Sequence, residues 1–415
     1  MLRYVVLSKV IVIGGGAAGM MAAYAAGLCG HVVTLYEKNE KLGKKIYITG
    51  KGRCNFTNAV DVDEFLKHVV SNEKFLYSAL YTLDPDGVMA FMEQWGTLVK
   101  VERGNRAFPQ SDHASDVTKA LKNAMDSVGV KVYLNTGVKD ILVADNKACG
   151  VLPENGKKEH SDAVILATGG LSYPTTGSTG DGYRFAERLQ IKVTPLYPAL
   201  VPFEVKEKDV LELQGISLKN VSVKVCDDKN IYFEDFGEML FTHFGISGPL
   251  VLSASSKVTS ILSHNPLHFF IDFKPALSYD KLDDKLLRMI SENPKKKVSF
   301  VLGDMLPKKM AFVLEERLDI PEEKNLSDLT KEERHKIILG LKEFHLTLTK
   351  TRGFKEAIIT QGGISVKEVN PSTMEVKNLP GLFICGEVLD VDAFTGGFNL
   401  QIAFSTGYLA GISVN

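Results

Sequence analysis

The chain opens on a change of hydrophobic rhythm. Val5 to Ile13 is rich in Val and Ile and reads as a buried strand. Gly14, Gly15 and Gly16 interrupt it, and the small and apolar residues from Ala17 to Gly27 suit a closely packed helix. No residue from Val10 to Leu28 is charged, and 19 such residues would be long enough to span a bilayer. The glycine triplet would break a membrane helix at its middle, and a cleaved leader would have to carry the same triplet. The expectation is therefore strand, turn and helix, with no membrane partner. His31 to Tyr36 is a second strand. Ala163 to Gly170 is a strand ending in small residues, and Pro380 to Glu387 is another ending in Gly and an acid.

The texture changes in the middle. Lys192 to Phe273 alternates short apolar runs with turn residues, which suits a small β-barrel or sandwich. From Ser278 the pattern becomes helical. Ser278 is an N-cap, Asn293-Pro294 ends one helix and Pro307 interrupts the next. Thr330 to Glu333 is a capping box leading into Ile337, Ile338, Leu341 and Phe344. The expected organisation is a discontinuous dinucleotide-binding domain over 1–190 and 352–415, a β-rich covering domain over 191–277 and 341–351, and a helical insertion over 278–340.

Composition narrows the function classes. Of 415 residues, 45% are hydrophobic, enough for real cores. Lys plus Arg total 49 against 50 for Asp plus Glu, so nothing points to a nucleic-acid partner. The five cysteines form no Cys-x-x-Cys pair, so neither a metal nor a disulfide framework is expected, and a reducing cytoplasm fits.

The chemistry starts at the glycine turn. Gly14, Gly16 and Gly19 fall on the G-x-G-x-x-G pattern between strand and helix. Gly14 allows the tight turn, Gly16 lets backbone approach a pyrophosphate, and Gly19 lets the helix pack on the sheet. Ala17 and Ala18 open the helix, whose free N–H groups favour phosphate. Glu37 ends the second strand 18 residues past Gly19, placed to accept from a ribose 2′-OH. Gly50-Lys51 is no P-loop, because Lys45 stands where the first glycine should be and Gly52 replaces Ser/Thr.

Three further segments favour FAD over NAD. Lys38 to Asn55 is basic and glycine-punctuated, suited to the pyrophosphate and ribityl chain. Ala167, Thr168 and Gly169 end one strand in small residues, and Gly386-Glu387 ends another with a carboxylate for the ribityl hydroxyls. Gly396 and Gly397 then start a helix through Phe398, Asn399, Leu400 and Gln401, whose N–H groups would face the flavin N1/C2=O region, where reduction places negative charge. No second G-x-G-x-x-G follows a strand, so NAD(P)H as external electron donor is not visible in the chain.

The runs Lys44–Asn58 (KKIYITGKGRCNFTN), Met239–Leu252 (MLFTHFGISGPLVL) and Thr360–Gln401 resemble a bacterial flavoprotein family that includes aminoacetone oxidase and a bile-acid dehydro-reductase. The resemblance covers essentially the whole chain. It implies an α/β fold, a Rossmann-like FAD-binding domain of the glutathione-reductase type with an inserted β-barrel and small helical bundle, and non-covalent FAD. The expected cofactor contacts are then the residues named above together with Lys38, Gly43, Lys45, Thr49, Gly50, Gly52, Arg53, Cys54, Asn55, Val138 and Asp181.

The function expected is FAD-dependent hydride transfer with a small-molecule substrate, by amine oxidation or C=C reduction. An FAD-dependent RNA-modifying enzyme and a flavin-binding redox sensor are the alternatives. His243 is the candidate for proton transfer, although no partner acid can be named and a loop-fixing role reads better. Cys54 and Cys385 lack resolving partners and read as buried small hydrophobes.

Overall fold

The computed structural model describes residues 7–154 and 156–415. It divides into two compact units: the chain up to Pro198 together with Phe354–Asn415, and Ala199–Gly353.

The first unit is built on five parallel strands: β1 (Lys9–Ile13), β2 (Val32–Tyr36), β3 (Lys131–Tyr133), β4 (Ala163–Leu166) and β5 (Leu382–Ile384). Their spatial order is β5-β4-β1-β2-β3. The central strands are near-continuous apolar runs because helices and loops cover both faces; all four residues of β4 are buried. The strand expected from Val5 starts at Lys9, and Val5 and Val6 lie outside the described residues. The strand expected from His31 starts at Val32, and the buried His31 ring lies between Ser8 N and Val414 O.

Helix α1 (Ala17–Leu28) follows β1, and helix α2 (Phe398–Ile412) closes the chain. Both are apolar nearly all round, as buried helices must be. They cross with backbones nearly touching. A Cβ on Gly407 would lie 2.4 Å from Ala18 O, and one on Gly411 2.5 Å from Ala22 O. Two ends of the polypeptide meet there. The uncharged stretch from Val10 to Leu28 is thus strand, turn and a 12-residue helix. Among the described residues no helix is long and apolar enough to cross a membrane.

The second unit holds a closed barrel of six antiparallel strands, in the order Phe203–Val205, Gly245–Ser247, Ile231–Thr242, Ser217–Cys226, Leu267–Asp272 and Phe344–Thr351. Leu267, Phe269 and Ile271 point inward while their alternate neighbours are partly exposed, the period of a one-sided sheet. Ser278 caps Tyr279–Glu292 by accepting from Lys281 N, and the Thr330–Glu333 capping box starts Lys331–Lys342. Ile337, Ile338 and Leu341 are buried on that helix as its spacing suggests. Phe344 is not on it: the helix ends at Lys342, and Phe344 opens a strand opposite Ile271. Barrel and helices share one hydrophobic core.

Candidate cofactor site

The strand order reverses direction between β1 and β4, and in such sheets ligands lie beyond the carboxyl ends at that switch point. Three chain segments leave there: Gly14–Gly19 from β1, Ala167–Gly170 from β4, and Cys385–Glu387 from β5. Ala167 N donates to Ile13 O and Cys385 N to Leu166 O, which holds them side by side.

The glycines of the turn meet different surroundings. Gly14 has φ +106°, and a Cβ would sit 2.5 Å from Ala167 O. A Cβ on Gly19 would sit 1.8 Å from Gly14 O. Gly16 has an ordinary φ of −83° and would meet nothing within 4 Å. The N–H groups of the first turn of α1, which have no helical acceptors, therefore border open space beside a residue with no side chain. Backbone donors beside a residue without a side chain fit a dinucleotide pyrophosphate.

Glu37, at the exit of β2, is buried. Its Oε2 accepts from Gly15 N at 2.7 Å, and its Oε1 accepts from Asn39 N at 2.8 Å and Asn39 Nδ2 at 2.6 Å. Of about four lone-pair positions on a carboxylate, three are taken, which leaves one at Oε2. Thr136 N donates to Glu37 O, and Val138, half-buried, begins the next strand two residues on.

The loop after β2 is tied down at several points. Gly43 is left-handed (φ +66°) and donates to Gly15 O at 2.8 Å. Lys38 Nζ donates to Thr179 Oγ1 and Asp181 Oδ2, each at 2.6 Å. Burial alone would raise the Asp181 pKa, but Lys38 and Arg184 outweigh it and hold the carboxylate below its usual range. Thr49 Oγ1 donates to Lys45 O. Gly50, Lys51, Gly52 and Cys54 all have positive φ, a tight turn that buries the Cys54 thiol completely. Burial pushes the Cys54 and Cys385 thiols far up, so both are protonated hydrophobes. Arg53 points to Glu102 and Asp112 and lies 4.3 Å over Phe108, so its guanidinium is committed within this unit.

The ionic centre of the site joins four segments. Lys45 Nζ donates to Glu387 Oε2 at 2.6 Å and Ser172 Oγ at 2.5 Å; Glu387 Oε1 accepts from Ser172 Oγ at 2.5 Å and Thr360 N at 2.9 Å. Thr360 Oγ1 in turn accepts from the Leu171 and Ser172 amides. Ser172 and Thr360 were not anticipated as site residues, although Thr360 opens one of the family-like runs, because their partners lie up to 215 residues away. Thr168 Oγ1 is buried without a hydrogen-bond partner, and Gly169 is left-handed (φ +71°) beside Ser178.

The start of α2 meets the N-terminal loop. Gly397 has φ +99°, and a Cβ there would lie 2.3 Å from Thr57 O and 2.9 Å from Asn55 Oδ1, a buried acceptor without a partner. Asn58 Nδ2 donates to Gly396 O, and Thr57 Oγ1 to Gln401 Oε1. Gln401, fully buried, also donates to Leu83 O and Ser405 Oγ, while Asn399 both accepts from and donates to the Ala393 backbone. These two side chains hold the helix start; its backbone amides remain. Phe398 is buried, Leu400 is half-buried, and Gly386 N donates to Thr406 Oγ1. Of the predicted residues, Glu37 and Gly43 bind the Gly14–Gly19 turn directly and Asn55 meets the Gly396–Gly397 turn, whereas Arg53 is turned to Glu102 and Asp112 and, among the described residues, no contact brings Val138 or Asp181 to either turn. His243 belongs to the second unit, where its ring packs edge-on against Phe244 and no carboxylate pairs with it among the described residues.

Comparison with known proteins agrees with this geometry. The model of the HI0933-like protein Rossmann domain matches residues 8–413. The chain is 32% identical to the 3-dehydro-bile acid delta(4,6)-reductase of Clostridium scindens, over 98% of each chain. It is also 32% identical to the ribosomal RNA dihydrouridine synthase of Haemophilus influenzae, again over 98% of each. Among solved structures, the 3-ketosteroid-delta4-(5alpha)-dehydrogenase of Rhodococcus jostii RHA1 has a TM-score of 0.54 at 16% identity, covering 100% of this chain and 98% of that one, a likeness of fold alone. With the glycine turn, the switch-point cradle and the inserted barrel all in place, the chain belongs to the HI0933-like Rossmann-domain family of FAD-binding flavoproteins.

Proposed function

We propose that this protein is an FAD-dependent reductase that adds two hydrogens across a carbon–carbon double bond conjugated to a carbonyl. One observation carries the reading: a single compact unit brings the Gly14–Gly19 turn and the Gly396–Gly397 turn together through the crossing of α1 and α2. Two glycine turns on one unit, each followed by a helix, suit one extended flavin nucleotide gripped at both ends. Bound FAD supplies the hydride-transferring nitrogen.

The chain supplies the rest. The amides of Ala17 and Ala18 hold the pyrophosphate, and the remaining acceptor position of Glu37 takes a ribose hydroxyl. The Lys45–Glu387 pair would serve the ribityl hydroxyls, its opposite charges cancelling. First-turn amides of α2 stabilise negative charge at the far end. The double-bond chemistry is supported by the relatives, since a bile-acid delta(4,6)-reductase and a dihydrouridine synthase perform the same operation on different molecules. The equal identity to the ribosomal RNA dihydrouridine synthase favours a second reading, in which the double bond is that of a uridine in RNA. The charge balance of the chain weighs toward the small molecule.

The test is anaerobic. The flavin is reduced with NADPH, then mixed separately with an unsaturated 3-oxo bile acid and with ribosomal RNA lacking dihydrouridine. Reoxidation by the bile acid, with a product heavier by two hydrogens, is expected; reoxidation by RNA alone selects the second reading. No reoxidation by either compound, together with reduction of the oxidised flavin by an amine and peroxide formed when air is then admitted, contradicts both.

A further inference from the structure

His68 lies far in sequence from every glycine motif, yet it stands beside the start of α2. It joins helix Val62–Leu66 to strand Val69–Ser71. That strand pairs with Asp392–Ala393, Asp392 opposite Ser71, and Phe394 N donates to His68 O at 3.0 Å. The His68 backbone is therefore fixed against the segment that runs into the Gly396–Gly397 turn. Its imidazole stacks on Phe398, ring centroids 4.4 Å and planes 19° apart, and Phe65 meets the same Phe398 ring edge-on at 5.0 Å. Phe398 is the first residue of α2. A ring able to change charge near neutral pH thus sits one side chain away from the amides that open the helix.

The side chain is 39% exposed, which leaves water access for proton exchange. The charged groups acting on it are Glu64, whose Oε1 is 3.7 Å from Nε2, and Lys67, both on its own segment; Asp392, on the paired strand, stands opposite Ser71. Burial holds the imidazole pKa below its ordinary value, with Glu64 opposing and Lys67 adding to the shift. The positive end of α2 acts in the same direction as burial.

We propose, resting on the FAD reading above, that His68 is a redox-linked positioning residue, neutral beside the oxidised cofactor and protonated beside the reduced one. Hydride delivery would bring two electrons and one proton to bound flavin, and the amides of α2 would face the extra negative charge. His68 takes one further proton from water, and returns it when the hydride passes to substrate. The imidazolium would then help to hold the start of α2 against the charged cofactor.

The test is the midpoint potential of the bound flavin as a function of pH in wild type, His68→Gln and His68→Phe, the last keeping an aromatic stack. Near neutral pH the wild type is expected to take up one more proton per two electrons than either variant, while all three retain flavin. Isotope-labelled histidine NMR on the wild type should show a higher His68 pKa in the reduced than in the oxidised protein. Equal pH slopes in the three proteins, or a His68 pKa indifferent to reduction, overturn the proposal. A wild-type protein that never holds flavin overturns the FAD reading as well, and is recognised by its lack of visible absorbance.

Discussion

Gly14, Gly16 and Gly19 share one turn but answer to different constraints. Gly14 and Gly19 are required by the fold itself, since their Cβ atoms would strike the backbone at 2.5 and 1.8 Å. Gly14→Ala and Gly19→Ala are each expected to destabilise the chain by at least about 2 kcal/mol, measured by denaturant unfolding. Gly16→Val should behave differently, because its Cβ faces open space. It is expected to cost about 1 kcal/mol as an altered N-cap while abolishing flavin retention. A yellow Gly16→Val protein would remove the pyrophosphate from that position. Lys45 and Glu387 form the other residue-scale test. Lys45→Met leaves a half-buried carboxylate short of its cation, and is expected to cost about 1–3 kcal/mol. Adding Glu387→Gln should recover part of that loss, so a purely additive double-mutant cycle would deny the coupling.

At the scale of elements, legibility followed the range of the interactions. β1, β4 and β5 were visible as apolar runs because both faces of a parallel sheet are covered, and Ser278 and the Thr330–Glu333 box were visible because a cap is written within four residues. β3, three residues with only partial burial, carries no such signal. The GGFNLQ run stood out in the sequence as a helix start after two glycines, but the work of its side chains did not. Asn399 and Gln401 bind backbone and Thr57, contacts that exist only once the chain has folded. Arg317 shows the same range dependence in the second unit: it holds Asp209 through two hydrogen bonds of 2.6 and 2.9 Å and stacks on Phe344. The bonds from Arg317, opposed by burial, keep the Asp209 carboxylate below its usual range. A depressed carboxylate stabilises the fold above its unfolded pKa and loses that contribution as pH falls through the folded value. Asp209→Asn should therefore cost about 1 kcal/mol at neutral pH, after allowing for partial exposure, and nearly nothing once the pH has fallen below the depressed folded-state pKa of Asp209. A pH-independent difference in melting would refute the ion-pair origin.

The whole molecule places a short-range motif and a long-range closure in one unit. The barrel and helices of Ala199–Gly353 form a continuous insertion, entered and left within the chain, so the segments before and after it can fold as one Rossmann unit. That arrangement explains why residues near 15 and near 400 pack together in one unit, and why neither half of the sequence alone defines it. The most direct measurement is a crystal structure of the protein grown with FAD. The account predicts one flavin nucleotide per chain, its pyrophosphate against the Gly16–Ala18 amides and its ring system at the first turn of α2. A protein that binds no flavin under those conditions, or holds it away from both turns, would contradict the account.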